Sequence, residues 1–176
     1  MQHSVVFAGF GGQGLLFTGQ VLARAAIKDG LEVFWIPSYG PEMRGGTAHC
    51  HVKLSRHGIA SPLINRPSTV IAFNEPSVEK FVGELLPGGL MMLNSSMVNT
   101  KPSRTDIRIV EVPVTDAAKE VGNQKVANMV MLGAYLQVTG AVNDESILSA
   151  LADHGVRADL IELNRKALLA GRALIH

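Results

Sequence analysis

The sequence predicts an α/β protein with an open β-sheet that is mostly parallel, contains one antiparallel hairpin and carries helices on both faces. Three observations lead to this fold class. Short apolar runs alternate with amphipathic segments, a glycine-rich turn joins the first apolar run to the first amphipathic segment, and the last third of the chain has helical periodicity. Strand, glycine turn and helix in this order are typical of a Rossmann-like domain.

Each predicted element follows from its own local pattern. Apolar runs bounded by Gly, Pro or polar turns predict strands at residues 4–9, 31–36, 47–55, 69–73, 90–93 and 107–114. A turn at Arg56, His57 and Gly58 predicts that the third of these strands forms the antiparallel hairpin with a short strand at Ile59 and Ala60. Apolar residues at helical spacing predict helices at residues 13–28, 76–86, 115–121, 126–139, 144–152 and 159–170.

Length and composition predict one globular domain over residues 1–176, because 47% hydrophobic residues suffice for a substantial core. The chain has 16 basic and 15 acidic residues, spread along its length, and a net charge of +1. We therefore expect no binding to nucleic acid or to an anionic membrane. The apolar stretches are too short or too interrupted to span a bilayer, and no secretory signal precedes the first strand, so we expect a cytoplasmic protein.

Cysteine and histidine content limits the redox and metal chemistry of the chain. Cys50 is the single cysteine, which excludes an internal disulfide and an iron–sulfur cluster held by this chain alone. His49 and His51 flank it in a predicted strand, where successive side chains point to opposite faces and cannot converge on one metal ion. We expect no metal site, a buried Cys50 that packs as a small hydrophobe, and half-exposed or interface histidines.

The glycine loop at residues 9–14 has the pattern G-x-G-x-x-G between a predicted strand and a predicted helix, where glycines allow a backbone to approach an anion closely. A dinucleotide site would also have an acidic residue after the second strand, but residues 35–38 read WIPS. The spacing also imitates a P-loop, yet Leu15 and Leu16 stand where Lys and Ser or Thr would hold phosphate and magnesium. Two interpretations stay open: the glycines contact another ligand, or they let the helix pack tightly on the strand.

A second loop, SYGPEMRGG at residues 38–46, follows the second predicted strand. We expect it beside the glycine loop, because both lie at the carboxyl edge of the sheet. Arg44 can pair with a phosphate, a carboxylate or Glu42, and Tyr39 supplies an aromatic face. The alternative without a ligand is a salt bridge of Arg44 with Glu42 or with a partner subunit.

The predicted helix at residues 126–139 is apolar nearly all round, which indicates a core or subunit-interface helix. Gly133 in its interior costs about 1 kcal/mol of helix stability relative to Ala, so we expect another backbone to approach closely there. Asn128, near the start of the helix, is a candidate contact with the glycine loop.

These motifs together resemble one family, the gamma subunits and gamma domains of thiamine-diphosphate-dependent 2-oxoacid:ferredoxin (acceptor) oxidoreductases. The resemblance rests on GFGGQG at 9–14, SYGPEMRGGTA at 38–48, Ser61-Pro62, FNEPS at 73–77, PGG at 87–89, NSS at 94–96 and NMVMLGA at 128–134. It covers most of the chain and weakens after Gly140. The YGPEMRGG form is closer to 2-oxoglutarate and branched-chain members than to pyruvate enzymes, whose loop usually resembles FGPERRGA.

The resemblance implies a complex that oxidatively decarboxylates a 2-oxoacid, most simply 2-oxoglutarate, to an acyl-CoA and carbon dioxide and passes electrons to ferredoxin. It implies thiamine diphosphate and magnesium on alpha and beta subunits, and iron–sulfur clusters on beta or on a ferredoxin-like delta subunit. This chain lacks the GDG and paired-asparagine motif and the cluster cysteines. It is then a subunit without catalytic residues of its own, with a role in assembly and in coenzyme A binding. The candidate binding residues are Gly11, Gly12, Gln13, Gly14, Tyr39 and Arg44.

Two other functions remain compatible with the residues. The first is a stand-alone Rossmann-like module that binds a nucleotide or an adenylated cofactor and acts as a regulator. The second is a purely structural subunit that binds no ligand.

Overall fold

A computed structural model of the protein describes residues 2–38 and 47–176. The strands are β1 (Gln2–Phe10), β2 (Glu32–Ser38), β3 (Thr47–Ser55), β4 (Thr69–Ala72), β5 (Leu90–Asn94) and β6 (Arg108–Val112). The helices are α1 (Leu15–Lys28), α2 (Glu75–Phe81), α3 (Val114–Val121), α4 (Ala127–Thr139), α5 (Asp144–Asp153) and α6 (Ala158–Ala173), with a 3-10 turn at Gln124–Val126 before α4.

The described strands form one mixed sheet in the order β2-β3-β1-β4-β5-β6. β1, β4, β5 and β6 pair in parallel, whereas β3 runs antiparallel to both of its neighbours, β1 and β2. The α/β class, the predominantly parallel sheet and the helices on both faces are therefore confirmed.

The predicted antiparallel pairing of β3 is confirmed, but its predicted pairing with residues 59–60 is wrong, because those residues lie outside any strand. β3 instead pairs along its whole length with β1, from Phe10 opposite Thr47 to Gln2 opposite Ser55. A nine-residue ladder satisfies many more backbone hydrogen bonds than a two-residue strand, so the long-range pairing prevails over the local turn. β3 thereby fills the space between β1 and β2 that the crossover through α1 leaves open.

The two faces of the sheet are covered unequally. One face packs on α1, α3, α4, α5 and α6 and holds the larger core cluster, and the other packs mainly on α2 and holds the smaller one. α4 lies in the larger core, with Met129 and Tyr135 fully buried. The expected close approach at Gly133 is confirmed, because a Cβ atom there would clash with the backbone carbonyl of Leu168 in α6.

α2 is shorter than the periodicity of residues 76–86 predicts, since it ends at Phe81. Asn74 starts it by accepting a hydrogen bond from the N–H of Ser77 through its side-chain oxygen, at 2.9 Å. The backbone then turns before Pro87, and Leu85 still contributes a buried side chain to the smaller core. None of the helices in the described ranges is both long and apolar enough to cross a lipid bilayer.

Candidate functional site

A cleft of about 420 Å³ opens at the carboxyl edge of the parallel strands, where β1, β4 and β5 end. Volumes of roughly 300–1,000 Å³ are usual for small-molecule sites, and this edge is where open α/β sheets place them. The cleft is lined by residues from the glycine loop, the strand ends and the segment before α4: Gly12, Gln13, Phe73, Met97, Thr115, Asn123, Gln124, Lys125 and Ala127.

The glycine loop forms the rim of the cleft. Gly12 and Gly14 have φ angles of 87° and 75°, in the left-handed region where a side chain would strain the backbone. Gly14 is the N-cap of α1, and the first turn of this helix has no side-chain cap and no acidic residue. The first N–H groups of a helix lack acceptors within the helix, so this loop offers backbone donors to an anion.

The side chain of Gln13 is used within the loop. Its Oε1 accepts a hydrogen bond from the N–H of Phe10 at 2.7 Å, and its Nε2 lies 3.7 Å from Sδ of Met97. These contacts close the loop on itself and hold Gln13 against the cleft, so its first role is to shape the loop.

Asn128, near the start of α4, contacts the glycine loop although the two are far apart in sequence. Its Nδ2 donates to the backbone carbonyl of Gly14 at 3.3 Å, which confirms the expected contact between this residue and the glycine loop. A Cβ atom at Gly14 would lie only 2.7 Å from this Nδ2, so the contact also requires glycine there.

Among the described residues that line the cleft, Lys125 is the only charged one. Its side chain is exposed and makes no ion pair within the described residues. Asn123 holds the segment in place, because its Oδ1 accepts a hydrogen bond from the N–H of Lys125 at 2.9 Å. The sequence offered no motif around Lys125, and its proximity to the glycine loop comes only from the fold.

Two of the sequence motifs, NSS at 94–96 and FNEPS at 73–77, support the walls of the cleft. Asn94 ends β5 and donates from Nδ2 to Oγ1 of Thr115 at 2.9 Å, which fixes the start of α3. Glu75 accepts hydrogen bonds from the N–H groups of Asn99 at 2.7 Å and of Thr100 at 3.1 Å. These contacts order the segments that follow β4 and β5.

The predicted site residues do not all fall in the described part of the chain. Gly12 and Gln13 line the cleft, and Gly14 adjoins it through the contact with Asn128. Gly11 is exposed on the same loop. Tyr39 and Arg44 lie outside the described residues.

The expected burial of Cys50 and the expected half-exposed position of its histidine neighbours are confirmed. Cys50 is fully buried on the α1 side of β3, where burial raises the pKa of its thiol to about 12. His49 and His51 point to the other face, half-buried, with their rings 5.1 and 6.4 Å from that of Phe81. Within residues 2–38 and 47–176, no three His, Cys, Asp or Glu side chains gather as a metal site would need.

The sheet order, the glycine loop and the cleft define an α/β domain of the Rossmann-like class with a candidate ligand site at the carboxyl edge of its sheet. The chain belongs to the pyruvate ferredoxin/flavodoxin oxidoreductase family, whose sequence profile matches residues 4–174. Similar proteins include the 2-oxoglutarate synthase subunit KorC of Methanothermobacter thermautotrophicus, 37% identical over 99% of this chain and 96% of that protein. The resemblance to gamma subunits that the motifs predict is thereby confirmed.

Some relatives are much longer than this chain. The ketoisovalerate oxidoreductase subunit VorA of Methanothermobacter marburgensis is 38% identical over 95% of this chain, but the match covers only 35% of that protein. The chain thus spans about a third of the length of the VorA relatives. In them, a segment similar to this chain is joined to further polypeptide.

Solved structures agree with the fold. The gamma subunit of a keto/oxoacid ferredoxin oxidoreductase from Geobacter sulfurreducens superposes with a TM-score of 0.87 at 31% identity, covering 99% of this chain and 96% of that one. The 2-oxoglutarate:ferredoxin oxidoreductase of Magnetococcus marinus shares the fold, with a TM-score of 0.88 at 24% identity over 98% of this chain and 31% of that one.

Proposed function

We propose that this chain is the gamma subunit of a thiamine-diphosphate-dependent 2-oxoacid:ferredoxin oxidoreductase that acts on 2-oxoglutarate. The observation that carries the proposal is the similarity to KorC, which extends over 99% of this chain and 96% of that protein. VorA, which is named for ketoisovalerate, is equally similar in identity but matches over only a third of its length. A branched-chain 2-oxoacid is therefore the alternative substrate.

The complex would oxidatively decarboxylate the 2-oxoacid with coenzyme A, producing an acyl-CoA and carbon dioxide and reducing ferredoxin. Alpha and beta subunits would hold thiamine diphosphate and magnesium, and beta or a ferredoxin-like delta subunit would hold the iron–sulfur clusters. The single, buried Cys50 agrees with cluster ligands being supplied by other chains. We place the complex in the cytoplasm, where reducing conditions suit a free thiol and ferredoxin chemistry.

The cleft suits the phosphate groups of coenzyme A. Its described lining combines the backbone of Gly12 with the ammonium group of Lys125, and none of these described residues carries a carboxylate that would repel an anion. Gly14 is the N-cap of α1 beside the cleft, so the positive end of the helix dipole adds to the positive potential that Lys125 creates there. In this proposal Gly11, Gly12 and Gly14 supply backbone donors, Lys125 and Arg44 supply charge, Gln13 shapes the loop, and Tyr39 offers a stacking face.

Single substitutions in the reconstituted complex test the coenzyme A role. Lys125→Gln and, separately, Arg44→Ala should raise the KM for coenzyme A about tenfold with a smaller change in kcat, because each removes a charge-assisted hydrogen bond. Lys119→Gln is the matched control, since Lys119 is exposed on α3 and pairs with Asp116. An unchanged KM in both variants would exclude the ligand role and leave the purely structural subunit.

The cleft beside the glycine loop also favours a second candidate, a stand-alone nucleotide-binding module. Purified chain mixed with NAD, FAD, ADP or coenzyme A distinguishes the two functions, because a ligand that binds the folded state raises the melting temperature. A shift with NAD or FAD, together with no co-purifying alpha or beta subunit, would support the regulator. Co-purification with those subunits supports the oxidoreductase.

A further inference from the structure

One side of the sheet at β2 and β3 is only partly covered by the described residues. In the register of these strands, Ile36 lies opposite His51 and Phe34 lies opposite Lys53. His49 follows on the same face, since side chains alternate along a strand. We call the surface formed by these five residues, Phe34, Ile36, His49, His51 and Lys53, the β2–β3 face.

The two apolar residues of the β2–β3 face are exposed. Phe34 and Ile36 are 41% and 40% exposed, whereas Trp35, between them, points to the opposite face and packs against the larger core. α1 packs on β2 and β3 from that opposite side. α2 extends over β1 and β4 and reaches β3 through the ring of Phe81, so it stops short of Phe34 and Ile36.

Of the three charged residues considered on or beside this surface, Lys53 and Lys80 are positive and Glu32, on the same face of β2 as Phe34, is negative, so the net charge is positive. Lys53 lies on the face itself, where its Nζ donates to the carbonyl of Ser61 at 2.7 Å. Lys80 stands at the border, with its ammonium group 5.5 Å from the centre of the Phe81 ring and close enough to His51 to lower the pKa of that imidazole. Glu32, at the far end of β2, accepts a hydrogen bond from the N–H of Ile59 at 3.0 Å.

We propose that the β2–β3 face binds another subunit of the same oxidoreductase complex, through a surface that combines apolar side chains with Asp or Glu. This inference rests on the proposed function, in which the chain is one subunit of several. Exposed aromatic and aliphatic side chains supply the buried centre of such an interface, and Lys53 and Lys80 supply its complementary rim.

A second copy of this chain fits the surface less well. In a two-fold dimer the same patch meets itself, so two surfaces of net positive charge would face each other. Like charges in that position oppose association. In the VorA relatives, moreover, a segment similar to this chain is joined to further polypeptide, about two thirds of the whole, which supplies a partner of different sequence.

Co-expression with the alpha and beta subunits of the proposed complex tests the inference. The double substitution Phe34→Asp and Ile36→Asp should lower the amount of alpha and beta subunit recovered with a tagged chain at least about tenfold, since it places charges at the centre of the interface. The matched control is Ile27→Asp, because Ile27 is 62% exposed on α1, on the other side of the sheet.

A second variant remains informative if the double substitution impairs folding. Lys80→Glu changes only an exposed charge, so the chain should keep its melting temperature while its affinity for the other subunits falls about tenfold at low ionic strength. Lys166→Glu on α6 is the corresponding control and should bind as the unsubstituted chain does.

The outcomes separate the two proposals. If the unsubstituted chain recovers no alpha or beta subunit, the proposed function fails. If it recovers them and Lys80→Glu and the folded double variant recover them equally well, the function stands and the β2–β3 face is not the interface. If the chain alone is a dimer that the double substitution dissociates, a second copy occupies the face and the inference is overturned.

Discussion

The side chain of Asn128 donates a hydrogen bond to the backbone carbonyl of Gly14, across 114 residues of sequence, at 3.3 Å. This contact ties the start of α4, in the larger core, to the glycine loop at the rim of the cleft. The Oδ1 atom of Asn128 meanwhile accepts from the N–H of Met129 at 2.9 Å. The amide group therefore connects a rigid buried helix to a loop that has no side-chain cap of its own.

Asn128→Ala should lower the free energy of unfolding by about 1 kcal/mol, because it removes the hydrogen bond to the carbonyl of Gly14, which keeps the N–H and Oγ1 of Thr18 as donors. Urea unfolding of the purified chain measures this change. Asn164→Ala is the control, since Asn164 bonds only to Leu160 one turn earlier in its own helix, at 2.7 Å. Equal losses in the two variants would show that the link to Gly14 adds no stability.

Gly133→Ala should destabilise the protein although Ala favours a helix by about 1 kcal/mol over Gly. The added Cβ would meet the carbonyl of Leu168, so α4 and α6 would have to separate, at a cost of about 1–3 kcal/mol or more. The melting temperature should fall. Gly83→Ala, where a Cβ would have no neighbour within 4 Å, should leave it unchanged or raise it. A rise in both variants would disprove the close approach of the helices.

Cys50 should react very slowly with alkylating reagents in the folded protein. Burial raises the pKa of the thiol to about 12, so at about pH 8 only about one molecule in ten thousand carries the reactive thiolate. Mass spectrometry should show full alkylation in concentrated urea and almost none in its absence. Rapid native labelling would mean that β3 opens readily from α1.

His51 should make the stability of the chain depend on pH. Burial and, secondarily, Lys80 lower its pKa from the usual 6.5 in the folded state. The unfolded chain then binds the proton more readily, so stability is lost as the pH falls through and below 6.5. Unfolding experiments from about pH 7 to about pH 5 should show this fall in free energy.

The substitution His51→Gln should make that pH dependence shallower, whereas His57→Gln, at an exposed turn, should not. Part of the slope should remain in both variants, because burial also lowers the pKa of His3. An identical slope in the His51→Gln variant and the unsubstituted chain would assign the effect to other groups.

Local patterns predicted most of the elements. The nine residues of β3 have the bounds that alternation and flanking turns predict, and α4 begins within one residue of its predicted start. Local patterns did not predict which strands pair with each other. The turn at Gly58 suggested a hairpin, but β3 pairs with β2 on one side and with β1, some forty residues earlier, on the other, and nothing in the local pattern specifies a pairing at that distance.

The candidate site was likewise predictable from the sequence only in part. Its glycine loop could be found from the sequence because Gly12 and Gly14 adopt a conformation that favours glycine, and such positions leave a recognisable spacing. Lys125 could not be found in this way, since a lysine in a polar turn has no distinguishing pattern. It reaches the cleft because α3 and the 3-10 turn carry the chain back to the carboxyl edge of the sheet.

The residues alone were enough to predict the α/β class, the order of most elements, the glycine loop and the resemblance to oxidoreductase gamma subunits, because periodicity, glycine spacing and short motifs are local properties. Only the three-dimensional fold determined four other features: the insertion of β3 between β1 and β2, the contact of Asn128 with Gly14, the position of Lys125, and the exposure of Phe34 and Ile36. Each of these features depends on which segments, distant in sequence, pack against one another. Alternative packings compete, and the native one is selected only when the whole chain folds.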